Sequence, residues 1–139
     1  MTTAPNAEPI NRGLAAQRAA ETLLHTLGGT SIYVRLPLDS ALGEAGELGL
    51  ASPATEDVLL APVVVRNLTA PKSVRVQLEL LVAAATLARV REIYAVGDAL
   101  DFFNNALGVI QRGKLFRVDS VDVDEFSGFP YLYRLKVSE

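Results

Sequence analysis

The chain has 139 residues, half of them hydrophobic, and a formal net charge of −3. That length suits one domain with a sizeable core, and that hydrophobic share excludes a wholly disordered chain. The acidic balance, with no Lys/Arg run, argues against a free-standing nucleic-acid binder, and the lack of cysteine excludes disulfides, thiolate chemistry and cysteine-ligated zinc or iron–sulfur centres.

Residues 1–10, rich in Thr, Ala, Pro and Asn, read as a flexible N-terminal arm with Pro5 and Pro9 as stiff points. The opening "MTTAPNAEPINRG" lacks the apolar stretch of a signal peptide, so work or assembly in a cytoplasm is expected. Residues 11–139 read as a single β-rich domain that begins with a helix. That helix is expected over 11–27, with Asn11 as its N-cap. Leu23, Leu24 and Leu27 form an apolar face together with Leu14, and Gly28-Gly29 stops the helix.

A strand follows from Thr30 to Leu36, closed by Pro37. Residues 39–57, rich in Gly, Ala, Ser and acid, read as a long loop with a short strand near Leu48 to Leu50; such loops are usually functional or make assembly contacts. Val58 to Arg66 is a β-branched run in which Pro62 implies an edge or a bulge. In "SVRVQLELLV" the alternation places Val74, Val76, Leu78 and Leu80 on one face and Arg75, Gln77 and Glu79 on the other. The apolar stretch "LELLVAAATLARV", broken by Glu79 and Arg89, is too short to span a bilayer.

A second helix is expected from Ala83 to Ala95, with Gly97-Asp98 and Asn104-Asn105 as breakers. The end reads as a β-meander. Its parts are a strand at Val109–Gln111, a turn at Arg112-Gly113, a strand over Leu115–Val123, a loop over 124–130 and a strand over Tyr131–Val137. Tyr133, Leu135 and Val137 should be buried, and Phe129-Pro130 should fix the last turn. The fold class is therefore α+β: a small, mainly antiparallel β-barrel or sheet with an N-terminal helix and one further helical segment.

Candidate chemistry is sparse. His25, the sole histidine, sits in the last helical turn, where a cation suits the helix dipole; no sequence-adjacent partner makes it a base. Asp119, Asp122, Asp124 and Glu125 form the densest acidic cluster. Their spacing from Gly128 misses the calcium-loop pattern, and strand alternation sends Asp119 and Asp122 to different faces. The pairs Asp98/Asp101 and Glu44/Glu47 lack a neighbour that would split their pKa values and read as loop charge. No glycine-rich phosphate loop occurs. Adjacent Phe102 and Phe103 cannot both face one core in regular structure, so one is expected at the surface. No catalytic, cofactor-binding or metal-binding residue is assigned.

The stretch "QRGKLFRVDSVDVDEFSGFPYLYRLKV", residues 111–137, resembles the head–tail connector (joining, or stopper) proteins at the neck of tailed bacteriophages. The features that carry the resemblance are the turn at Gly113, the strand "KLFRVDSV", the loop with Gly128 and the closing strand "YLYRLKV". In that family a glycine-centred strand of the form "rG+.y.I.sV" feeds a last strand through a short polar loop, inside a small β-barrel. The upstream "PVVVRN" and "VRVQLELLV" are compatible with the same barrel.

The resemblance implies a virion structural protein rather than an enzyme, without cofactor, assembled in the host cytoplasm. It implies a homo-oligomeric ring, hexamer or dodecamer, that meets portal, adaptor or tail proteins. DNA would pass its channel without specific binding, and no membrane would be involved. Residues 1–10, 39–57 and 97–106 would reach the neighbours. The N-terminal helix departs from the many stoppers that begin with a strand, which keeps a tail terminator or other tail-completion protein open. A non-viral small binding module that uses an edge strand, and an enzyme of unknown chemistry, also remain open.

Overall fold

A computed structural model describes residues 7–37, 55–94 and 99–139. The chain order is α1 (Ala7–Thr26), β1 (Thr30–Pro37), β2 (Thr55–Asn67), β3 (Gln77–Ala83), α2 (Ala84–Tyr94), α3 (Ala99–Asn104), β4 (Gly108–Gln111), β5 (Lys114–Phe126) and β6 (Phe129–Ser138). The strands form a closed antiparallel barrel in the order β1-β2-β3-β6-β5-β4, with β4 returning to β1. The α+β class with a small antiparallel barrel is what the sequence implies; among the described residues two shorter helices follow α1 rather than one. The expected strand near Leu48 to Leu50 and the breaker Gly97-Asp98 lie outside the described residues.

The helix α1 begins at Ala7, so residues 7–10 are helical rather than part of an arm, and Asn11 is inside the helix rather than its cap. Pro9 fits there because the first turn of a helix has no use for its missing N–H. The stop is as expected. Gly28 N–H donates to the His25 carbonyl (3.1 Å) and Gly29 N–H to the Leu24 carbonyl (2.9 Å), the paired bonds of a glycine-terminated helix. The two glycines serve different needs. Gly28 holds φ at 76°, whereas a Cβ on Gly29 would lie 2.7 Å from Pro62 Cβ.

α1 lies across the outside of the barrel, but not on its leucine face. Leu24 is buried, while Leu14, Leu23 and Leu27 are exposed. The contact side is instead Gly13, Gln17 and Leu24. Gly13 lets the Phe129 ring approach to where a Cβ would sit 2.7 Å from it, and Gln17 Nε2 donates to the Pro130 carbonyl at 2.9 Å.

The barrel interior is filled by alternate residues of every strand, including Ile32, Val34, Val58, Leu80, Val82, Val109 and Leu135, all without solvent contact. Tyr133, Leu135 and Val137 are buried as expected. Pro62 sits in a bulge, not at an edge. Between the pairs Thr30↔Val63 and Ile32↔Leu60, β2 spends two residues where β1 spends one, so the missing donor falls where the ladder is already interrupted. β3 starts only at Gln77. Val74 therefore precedes the strand and is 95% exposed, which corrects its assignment to the buried face. Glu79 does face outward, yet it is nearly buried, because Arg66 on β2 lies over it and donates at 2.9 Å.

Both tight hairpins of the meander are two-residue turns with positive φ at each centre. Arg112 and Gly113 have 52° and 76°; Ser127 and Gly128 have 52° and 80°. Such turns match the twist of paired strands. The loop expected over 124–130 is thus the pair Ser127-Gly128, and Phe129-Pro130 belongs to β6. Pro130 pairs opposite Glu125 beside a second irregularity, where Asp124 pairs with Leu132.

The helices α2 and α3 close the end of the barrel at which β1 and β3 finish. Phe102 and Phe103 are both buried, contrary to the expectation for adjacent aromatics. A short helix turns neighbouring side chains by about 100°, so both fit a concave seat. Their rings meet edge-to-face at 5.2 Å, and Phe103 lies 5.9 Å from the Tyr133 ring. Phe103→Ala should cost about 3–5 kcal/mol in chemical denaturation, whereas exposed Leu100→Ala should cost less than about 1 kcal/mol. Gly29→Ala, which meets Pro62, should be at least as damaging as Gly28→Ala, which carries about 1–2 kcal/mol of left-handed strain.

Candidate functional site

The residues singled out in the sequence do not converge. His25 is exposed near the end of α1. Its charge reaches Glu21 one turn earlier, and neither residue lines the two cavities described below. Asp101 is exposed on α3; Asp98, Glu44 and Glu47 lie outside the described residues. Among the described residues no three His, Asp or Glu side chains gather as a metal site.

Asp119, Asp122, Asp124 and Glu125 all lie in the long strand β5 rather than at a strand end. Asp119 and Asp122 both point outward, against the alternation expected for them. The pairs Val118↔Val137 and Ser120↔Lys136 leave Asp119 as an extra residue. That bulge lets Val118 and Val121, three apart, both pack on the core. The acids then meet cations of their own chain: Arg117 donates to Asp119 at 3.0 Å, and Arg134 to Asp124 at 2.7 Å. Asp122 stands opposite Arg134 in the ladder. A neighbouring rung repeats the device, with Arg66, Glu79 and Lys136 in register across β2, β3 and β6.

Among the described residues two of the concave regions bear on a binding role. The first is the end of the barrel away from α2 and α3, a cup of about 470 Å³. Val63, Val65, Leu78 and Phe116 form its floor, and Thr30, Asn67, Gln111, Arg112 and Lys114 its rim. Lys114 is held by an ion pair with Glu139. The second is an apolar groove of about 360 Å³ between α1 and the outer barrel wall. Ala16, Ala19, Ala20 and Leu23 form one side, and Leu81, Phe126, Tyr131 and Leu132 the other. Nothing in the sequence marks this groove, since it needs the α1 leucines to face away from the core.

The contact between α1 and α2 is pinned by a two-pronged ion pair. Arg89 donates to both carboxylate oxygens of Glu21, at 2.6 and 3.2 Å. This hydrogen bonding pulls the Glu21 carboxyl below its ordinary pKa of 4.5; partial burial opposes it, and the charges of Arg89 and His25 assist. On the opposite wall Arg35 grips Asp57 at 2.9 and 3.2 Å, and that bond lowers the Asp57 pKa in the same way. No family model matches the chain, and neither the curated proteins nor the solved structures compared with it give a match.

Because the folded state lowers the Glu21 pKa, the pair's full contribution is present above the unfolded value. It is lost as pH falls through the lower, folded value. Arg89 is exposed and Glu21 only partly covered, so solvent screening holds the pair's worth to about 1 kcal/mol. Glu21→Gln should remove that amount at pH 7 and leave less to lose below pH 4.5, so melting curves of variant and parent should converge in acid.

Proposed function

We propose that the chain is a virion structural protein of a tailed phage, a subunit of a ring at the head–tail interface that joins capsid to tail. The observation that supports this reading is where the resemblance falls. Residues 111–137 supply the Arg112-Gly113 turn, β5, the Ser127-Gly128 turn and β6, the meander that completes the closed barrel. A closed barrel exposes no free edge for strand exchange, so it suits a rigid scaffold whose contacts are made by side chains and loops.

On this reading the subunits form a hexamer or dodecamer between portal or adaptor and tail proteins, assembled in the host cytoplasm. The net charge of −3 would discourage the subunits from gripping passing DNA, because like charges repel. A tail terminator is the second reading. It is favoured by α1, a helix of 20 residues laid on the barrel wall.

Quantitative mass spectrometry of purified particles, with the chain counted against the major capsid protein, tests the proposal. A low, fixed copy number that matches one ring per particle is expected. Absence of the chain from intact particles would overturn it.

A further inference from the structure

The two ends of the barrel are finished differently. One is plugged by Phe102, Phe103 and Leu87, all buried. At the other the core ends in the cup of about 470 Å³. Its floor belongs to that core: Val63, Leu78 and Phe116 are 0%, 7% and 3% exposed. The volume lies in the range of about 300–1,000 Å³ typical of small-molecule sites, and barrel mouths are a common place for them.

The charges around this end do not balance. Its acids Glu79, Asp119 and Glu139 are each held by a cation, Arg66, Arg117 and Lys114 in turn. Three further cations make no ion pair among the described residues. Arg112 lines the cup, and Lys72 and Arg75 stand in the loop 68–76, whose flanks Asn67 and Val76 line it too. Arg112 and Lys72 hold left-handed φ angles of 52° and 68°. Gly and Asn take such positions most readily, so turn chemistry alone does not account for long cations there, and strained residues cluster where ligands are clamped. Neutral donors stand beside Arg112. Asn67 accepts the Thr69 N–H through Oδ1 at 2.8 Å, which leaves its Nδ2 hydrogens to donate. Gln111 makes no side-chain hydrogen bond among the described residues.

We infer that the cup binds a small organic acid with an apolar body, a monocarboxylate of the medium-chain fatty-acid type. The body lies on Val63, Leu78 and Phe116, where its apolar surface leaves water. The carboxylate accepts N–H groups of Arg112, a planar fork suited to a planar acid, and Asn67 and Gln111 supply donors for its other lone pairs. Lys72 and Arg75 draw the anion to the opening at longer range. An alcohol with the same body gains no charge-assisted bond, and an amine meets three cations and no unpaired acid. The inference does not depend on the ring reading.

The test titrates decanoate into the isotope-labelled full chain under two-dimensional NMR, with decanol and decylammonium as controls of the same body. Decanoate should shift the signals of Val63, Val65, Leu78 and Phe116 with a Kd below about 1 mM. Both controls should bind at least about tenfold more weakly, the worth of one charge-assisted hydrogen bond. Arg112→Asn removes the charge and keeps the turn, since Asn accepts the left-handed conformation. It should melt no lower than the parent and weaken decanoate about tenfold or more, with decanol unchanged. Thr30→Trp, at an exposed rim position, should obstruct the cup and weaken decanoate as well. The inference would be overturned by an absence of shifts at the floor, by decanol binding as tightly as decanoate, by Arg112→Asn binding decanoate like the parent, or by shifts confined to Phe126, Tyr131 and Leu132 of the α1 groove. The comparison of decanoate with decanol uses the parent chain, so it decides the inference even where a variant fails to fold.

Discussion

The pairing of β1 with β4 holds the rest of the structure in place. β1 has β2 on one side for most of its length, but on the other only the short run Tyr33↔Ile110, Val34↔Val109 and Arg35↔Gly108. These rungs turn an open sheet into a barrel. Without them β1 and β4 would present unpaired donors and acceptors, a template for aggregation. β4 has four residues and cannot hold register by length. It is held by the tight Arg112-Gly113 turn into β5, by Val109 buried in the core, and by the Leu107 N–H, which donates to the Arg35 carbonyl at 2.8 Å.

Closure then sets what each end and each side of the barrel can do. One end is filled by Phe102, Phe103 and Leu87 from α2 and α3, so the long strands β5 and β6 project from a rigid plug. The other end stays concave, with Arg112 and the Lys114–Glu139 ion pair at its rim. On the sides, α1 covers part of β3 and β6 through Gly13, Gln17 and Leu24, and the apolar residues it does not bury remain at the surface. The wall across from it exposes Tyr33 on β1 and Leu59 on β2. Between them the outward rungs are charged and largely matched cross-strand, which contributes little stability per pair but keeps the remaining wall polar.

Much of the fold is legible in the sequence because its cues are local. Alternation in β3 and β6, glycine at the turn after Arg112, and Gly28-Gly29 after a leucine-rich helix each dictate their own geometry. What escapes is set by context. Pro9 reads as a stiff point of an arm but sits where a helix tolerates proline. Ser127, rather than Pro130, makes the last turn, because the strands pair up to Phe126↔Phe129. The bulge at Asp119 reverses the facing of the acids beyond it, and its one trace in the sequence is the three-residue step from Val118 to Val121 that breaks the alternation. Phe102-Phe103 reads as half exposed until the six-residue helix that carries both is seen against its seat. The row Leu59, Tyr33, Ile110 and Leu115 is beyond sequence reading, since these residues become neighbours only through four strands in register.

The proposed function rests on the resemblance of residues 111–137 to phage connector proteins. The direct measurement is cryo-electron microscopy of the head–tail junction in purified particles, at a resolution that separates β-strands. A ring subunit should appear there as repeated closed barrels, each with α1 on the outside of β3 and β6. A junction whose rings are fully accounted for by other folds, with no density for this barrel, would contradict it.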